Sequence, residues 1–383
     1  MLIRSIKQKL QSSGFDLCHP IHTVWYNRLI QNEGLVDSGA LKILPEPSPS
    51  ISQDNDDTYD EMRGVVLSYN AVLIGNTKTV WPSFIDWLVM KVEEKKTRQD
   101  ILVSNDERKI IQHHDTALDD VIQSSPFDTY CEESLSKSLQ ELCSTEDQRN
   151  KIASYELFWS NGKRQKFSTN HSPNDEEKDD MPQNNNMQAK QQYHCFDKNQ
   201  DSFLVSMQRI ASASGQYWHD EENTKLCVHP VYGTWTAFRA LVVFEMDTSF
   251  IIHANNDSSS IPSQPSPCPC PLSEEEMKEA KKIFDYALEL NTSGQGNNAG
   301  SYGTQANKTW DELCTYLHNQ VCKGSDWDEV PDSMKPWIEL RNAIRVGRNE
   351  WKYDEPQLLY HYTKDPNILR REVERRLMQR QRI

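Results

Sequence analysis

The stretch 226–239 reads LCVHPVYGTWTAFR and places a thiol, an imidazole, three aromatic rings and a guanidinium within fourteen residues. Each of those groups has a chemistry. A cysteine thiolate attacks carbon or binds a metal. A histidine moves protons or ligates. An arginine fork grips carboxylates in bidentate fashion. Each group also has a plainer role. Cys227 reads first as a small apolar wall residue. His229, ahead of Pro230, reads as a turn residue satisfied by backbone rather than as a metal ligand. Arg239 stands inside the apolar run AFRALVVF, and arginines are rarely buried unless paired. Its partner is therefore either an anionic ligand, the reading preferred here, or a structural carboxylate elsewhere in the chain.

Other candidates carry less. Gly294, Gly296 and Gly300 fall in NTSGQGNNAG, where no strand precedes them, so they read as a linker rather than a phosphate loop. Cys268-Pro-Cys270 has no second pair at zinc spacing and sits in a proline-rich stretch, which reads as a linker with two thiols. His113-His114 lie among Asp106, Glu107, Asp115 and Asp119, as on a solvated helix face. Neither HExxH nor GxSxG occurs, and the DxHxxG pattern by which some proteins ligate cobalt through histidine is missing.

Elements able to position the 226–239 groups can be read on both sides. Leu2, Ile3, Ile6 and Leu10 recur at helical spacing, favouring a first amphipathic helix over a transit peptide. Arg63 to Ser68 reads as a buried strand and Trp81 to Val92 as an aromatic-rich helix. Leu135, Leu139 and Leu142 mark another helix, and Phe203 to Ala213 one with a small-residue side. Ala237 to Phe244 is the strongest strand pattern in the chain. Ser273-Glu-Glu-Glu276 is a capping box that opens a helix with Met277, Ala280, Phe284, Ala287 and Leu288 on one face. Arg370 to Arg382 reads as a charged helix. Helices and strands mix without regular alternation, so the fold class is α+β, in one domain over 1–383. No internal repeat is visible.

Composition narrows the class further. Only 36% of the 383 residues are hydrophobic and mean hydropathy is -0.77. Part of the chain is therefore polar insert unable to bury enough apolar surface to fold. Four such stretches, expected to be disordered and solvated, run over 46–60, 168–201, 255–271 and 291–308. Net charge is -15 with a pI near 5.2, which argues against nucleic acid. No apolar run is long enough to span a membrane. Nine cysteines at irregular spacing, without a secretory signal, read as free thiols in a reducing cytoplasm.

Taken together, several segments resemble the cobalamin-processing family of the cblC type, cyanocobalamin reductases and alkylcobalamin dealkylases. The opening Gly14-Phe15-Asp16-Leu17 with Thr23-Val24-Trp25-Tyr26-Asn27-Arg28-Leu29-Ile30 matches a GF…WYN…L stretch. Val66-Leu67-Ser68, the region Pro82 to Leu88 and Ser125-Pro126-Phe127-Asp128 follow in order. The most specific match is Cys227 to Arg239, a Cys-x-His-Pro, aromatic-Gly-x-Trp, Arg string. The last is Tyr353 to Arg370, YDEPQLLYHYTKDPNILR. The resemblance covers about 14–30, 63–160, 203–250 and 273–377 and skips the polar inserts.

That resemblance implies a nitroreductase-like (flavin reductase-like) mixed sheet flanked by helices, holding cobalamin with its lower base displaced. Carried over by position, Cys227 and Phe238 would lie against the corrin. Val205, Ser206, Met207 and Gln208, with Tyr217, Trp218 and His219, would line the same pocket, and Trp235 would add a wall. Ser154 falls where the family carries a cobalamin-contacting acid, a departure from the pattern. Arg239, Arg341 and Arg370 (or its neighbour Arg371) match glutathione-holding arginines, and Asn161-Gly162-Lys163-Arg164 the family's dimer loop. The implied activities are reductive decyanation using FAD or FMN with NADPH, and glutathione-dependent dealkylation. A cblD-type partner protein and a homodimer are implied as well. No protein-held metal is expected, because the corrin holds the cobalt. A non-catalytic cobalamin carrier and an ordinary flavin nitroreductase relative are the competing readings.

Overall fold

Strand β7, Ala237–Met246, forms the middle of a sheet, as the run AFRALVVF requires: a strand covered on both faces reads as a nearly continuous apolar stretch. The computed structural model describes residues 2–36, 41–46, 70–103, 113–122, 125–145, 152–168, 204–246, 263–293, 330 and 334–380. The sheet holds β1 (Leu17–Ile21), β2 (Ala71–Asn76), β3 (Ile152–Trp159) and β4 (Arg164–Ser168) with β7, in the order β1-β2-β7-β3-β4. All four pairings are antiparallel. The α+β class holds, but the expected mixed sheet is corrected to an antiparallel one among the described residues. Only β3 and β4 are joined by a short turn; the other neighbours come from distant parts of the chain.

Side chains divide by strand parity. Val72, Ile74, Tyr155, Leu157, Ala240, Val242 and Phe244 face the larger core. That core also takes residues from α1 (Leu2–Gln11), α3 (Val80–Val103), α4 (His113–Ile122) and α5 (Pro126–Cys143). The C-terminal helices Glu355–Thr363 and Pro366–Arg380 complete it. Ala71, Leu73, Phe158, Leu241 and Val243 face a second core made with α2 (Thr23–Asn32) and α6 (Met207–Ala213). The Trp25-Tyr26-Asn27 run is buried there, and Asn27 bonds both the N–H and the C=O of Leu44. A third cluster joins α7 (Glu274–Ser293) to α8 (Lys335–Ala343), with Phe284, Leu340 and Ile344 buried alongside Val228.

Several sequence expectations find their elements. Ile6 and Leu10 of the first helix are buried. The capping box is complete: Ser273 Oγ accepts from the Glu276 N–H, while the Glu276 carboxylate accepts from the N–H and hydroxyl of Ser273. Within 203–213 the helix starts only at Met207, where Ser206 caps it. The strand expected at Arg63 to Ser68 lies outside the described residues, as do 47–60, 169–200 and 294–308.

Within the third insert, residues 263–271 form an extended stretch that is mostly exposed, with Cys268, at 9% exposure, turned inward. Pro265 and Ser266 cross directly over Gly215, where a Cβ would stand 2.8 Å from the Pro265 ring. The backbone N–H of Trp218 points at the Cys268 sulfur. Prolines have little backbone entropy left to lose, so a short segment of them docks as an extended strip at small cost.

Two glycines hold the site segment in place. Gly233, at φ +59°, closes a turn in which its N–H and C=O pair with those of His229. A Cβ on Gly233 would meet the Val346 oxygen at 1.9 Å, and one on Gly347 (φ +66°) the Val231 oxygen at 2.5 Å. The 229–233 turn and the 344–348 link therefore touch backbone to backbone. Gly233→Ala combines left-handed strain with that collision. It is expected to lower stability by more than about 2 kcal/mol, read from urea unfolding midpoints.

Candidate functional site

Arg239 owes its placement to a bulge. Ile74 pairs with Ala240 and Gly75 with Phe238, leaving Arg239 as the extra residue on β7. Phe238 joins the second core, whereas the Arg239 guanidinium lies 4.6 Å from the ring centre of Phe127, which packs on the larger one. The Arg239 Nε donates to Asn76 Oδ1 at 2.7 Å. Asn76 is fully buried, and its Nδ2 donates to the Thr77 carbonyl. Asp16 in turn accepts from the Thr77 N–H at 2.8 Å and from its hydroxyl. The Gly14-Phe15-Asp16 motif thus acts at a distance: Gly14 (φ +74°) lets the chain lie on Val80, and Asp16 fixes the loop that orients Arg239.

Arg341, on α8, is more deeply buried, at 9% exposure. Its guanidinium lies 4.6 Å from the Trp235 ring and 4.8 Å from the Tyr353 ring, and Nη2 donates to the Thr234 carbonyl. Burial works against its charge, and the phenols of Tyr362 and Tyr353 more than offset that. Among the described residues neither Arg239 nor Arg341 makes an ion pair with a carboxylate; their partners are a carboxamide, a carbonyl, the phenols of Tyr353 and Tyr362, and aromatic rings. Beside Arg341, Trp235 Nε1 is buried without a hydrogen-bond partner in the structure, as is Gln357 Oε1 on the following helix. An open N–H donor beside a cation that has no carboxylate partner among the described residues is an arrangement that suits an anionic group.

The opposite face of the sheet gathers a different set. Tyr217, fully buried, contacts His19, His229 and Phe238 edge-on at 5.3, 5.0 and 5.1 Å between ring centres. Val205 and Met207 are buried in the same cluster, and Cys227 and Phe238 pack on it half-buried. His229 behaves as the turn residue expected: its Nδ1 accepts from the N–H of Val231 at 3.0 Å and of Tyr232 at 3.3 Å. Burial lowers its pKa to about 4, and burial with His229 and Lys7 nearby takes His19 to about 4. Burial also raises the Cys227 thiol, so it stays protonated and inert at neutral pH.

The remaining candidates are placed elsewhere. Trp218 turns into the α7–α8 cluster, because β5 (Trp218–His219), paired with β6 (Cys227–Val228), sends successive side chains to opposite sides. His219 lies 3.2 Å from Glu221, with burial and then Arg209 and Lys225 lowering its pKa to about 4. Ser206 is a helix cap, and Gln208 is exposed, its carbonyl facing the Cys227 sulfur. Ser154 is hydrogen-bonded to Glu245 and pairs with it in the sheet. Seven residues of strand separate Glu245 from Phe238, roughly 20 Å, so Ser154 does not reach this cluster. Arg370 bonds Asn367 and pairs with Asp119 on the outer helices, apart from Arg239 and Arg341. In the β3–β4 hairpin, Gly162 (φ +82°) makes the turn and Arg164 pairs with Glu156.

Sequence reasoning missed Asn76, Tyr353, Gln357, His361 and Tyr362 on the arginine side, and His19 on the other. The Tyr360-His361-Tyr362 triplet was the available signal, an imidazole between two phenols in an otherwise ordinary amphipathic helix.

No family model matches the chain, and no curated protein does. Among solved structures, the crystal structure of the C. elegans B12-trafficking protein CblC, described as a human MMACHC homologue, is similar at 16% identity with a TM-score of 0.38. The match covers 84% of this chain and 97% of that one. Among the described residues no helix is long and apolar enough to cross a membrane.

The buried histidines set a pH window. Their folded pKa values lie below the ordinary 6.5, so the unfolded chain takes up protons first as pH falls. The stability they contribute is complete above pH 6.5 and is lost between there and about 4, at up to about 1.4 kcal/mol per pH unit for each histidine. His229→Gln is expected to flatten that slope by about one histidine's share, measured by urea unfolding between pH 6.5 and 4.5.

Proposed function

We propose that the chain is a cobalamin-processing enzyme that removes the upper axial ligand of its substrate. The observation that carries the reading is Arg341: a guanidinium at 9% exposure, clamped between Trp235 and Tyr353 and without a carboxylate partner among the described residues. A buried cation costs several kcal/mol unless a counter-charge arrives, and a ligand carboxylate is the counter-charge a planar fork suits. Glutathione offers two carboxylates and a thiol. Its proposed place is beside Arg239 and Arg341; Arg370, paired with Asp119, is left outside it.

The corrin is assigned to the other cluster, where Val205, Met207, Tyr217, Cys227 and Phe238 form an aromatic and apolar wall. A wide disc fringed with amides needs such walls and few polar groups. His229, with Nδ1 committed to two backbone N–H groups, is not available as a cobalt ligand, which agrees with binding in a base-off state. Phe238 and Arg239 are adjacent in the chain yet face opposite sides of the sheet at its bulged end. One short segment thus supplies both a corrin wall and a thiol-ligand grip. In the proposed dealkylation the glutathione sulfur attacks the cobalt-bound carbon, the C–Co bond breaks and its electron pair stays on cobalt. For decyanation the electrons come from FAD or FMN reduced by NADPH. A cblD-type partner and a homodimer belong to the same proposal, as does one processing domain over 1–383.

Two measurements test it. Cyanocobalamin or methylcobalamin mixed with the purified protein is expected to show the base-off blue shift in its visible spectrum. Unchanged colour above micromolar protein overturns the reading. Arg341→Met preserves volume without the charge, so the fold and the cobalamin shift are expected to survive. Glutathione affinity is expected to weaken about ten- to hundredfold, as loss of a charged hydrogen bond predicts, read by calorimetry.

A further inference from the structure

On helix α9, Glu355–Thr363, His361 lies beside the arginine cluster. Its ring lies 5.8 Å edge-on from that of Tyr353, the same phenol that flanks the Arg341 guanidinium at 4.8 Å, and 5.0 Å from Tyr362. Gln357, whose Oε1 is buried without a partner, stands one helical turn earlier. An imidazole placed among cations stabilises nothing by its charge. We propose that His361 is the proton acceptor for the thiol of the anionic ligand gripped by Arg239 and Arg341. The inference rests on the glutathione reading given above and adds to it the group that generates the nucleophile.

In the step itself the S–H bond breaks, the proton goes to an imidazole nitrogen of His361, and the electron pair stays on sulfur as a thiolate. No oxidant or further reactant is needed. The charged groups facing His361 are Lys364 from the end of its own helix, Arg341 from α8 and Arg239 from β7; the phenols are Tyr353 and Tyr362. Burial first, then those three cations, holds His361 well below the ordinary 6.5, so it enters the reaction without a proton. Arrival of two ligand carboxylates cancels most of that field and restores its basicity. Other nearby groups cannot serve. Burial pushes the Cys131 thiol, beside Arg239, to about 12, and the Tyr362 phenol is raised as well, so both already hold their protons.

The test uses the whole protein, without cobalamin, titrated with glutathione at pH 7. Thiolate is followed by its ultraviolet absorbance and proton exchange by calorimetry in two buffers of different ionisation heat. The wild type is expected to gain thiolate absorbance while releasing almost no proton to buffer, because His361 keeps it. His361→Gln is expected to bind within about threefold of the wild type, since no charge is removed. Its thiolate should form only with release of about one proton, or only at a pH nearer the free thiol's value of about 8.5. The wild-type titration decides the matter even where the variant does not fold. A full proton released to buffer, or binding with no thiolate, overturns the role of His361 and leaves the glutathione site standing. Identical behaviour of wild type and variant does the same. Absence of any binding overturns both.

Discussion

A guanidinium without a carboxylate partner among the described residues organises the candidate site. Arg341 is buried against Trp235 and Tyr353, and the charge is tolerated because two aromatic faces and a carbonyl partly replace water. Such an arrangement is weak support for the fold, since an apolar residue of equal volume would suit the same hole. In the proposed reading a ligand carboxylate supplies the missing counter-charge, and the open N–H of Trp235 belongs to the same account.

The surrounding architecture delivers that charge to one end of a sheet. A chain of contacts from Asp16 through Thr77 and Asn76 reaches Arg239, and each link is a short polar bond in a largely buried setting. Ordinary alternation sends Phe238 and Arg239 to opposite faces, and the bulge decides which: it puts Arg239 on the same side as Ala240 and Phe238 on the side of Leu241. On the far side, backbone contact between the 229–233 turn and the 344–348 link ties Trp235 to the helix that carries Arg341. Small residues at Gly14, Gly75 and Gly233 matter because backbone, not side chain, makes these approaches.

The two faces differ in their electrostatics. Around Tyr217 the titratable groups are histidines kept neutral by burial and a cysteine kept protonated, an environment suited to an uncharged, wide ligand surface. Around Arg341 the neighbouring fixed charges among the described residues are positive, and His361 is held neutral by burial first and then by them. The proposed pair of ligands, an apolar macrocycle and an acidic thiol peptide, is assigned along that division, with the bulged strand end between the two.

By itself the sequence determined the local features. Periodicity marked the first helix, the capping box announced α7, and the unbroken apolar run identified β7, because each is set by neighbours within a few residues. The turn role of His229 was legible for the same reason: its partners are two and three residues away. It also singled out Arg239 as a cation in a strand. Only the tertiary structure decided what that cation meets, for Asn76 and Phe127 are more than 100 residues distant. It likewise separated Trp218 from Tyr217, tied Ser154 to Glu245 and Arg370 to Asp119, laid Pro265 and Ser266 over Gly215, and brought Tyr353 and His361 to Arg341. Long-range pairing depends on sheet register and on which face each side chain takes, and a one-residue bulge reverses that face.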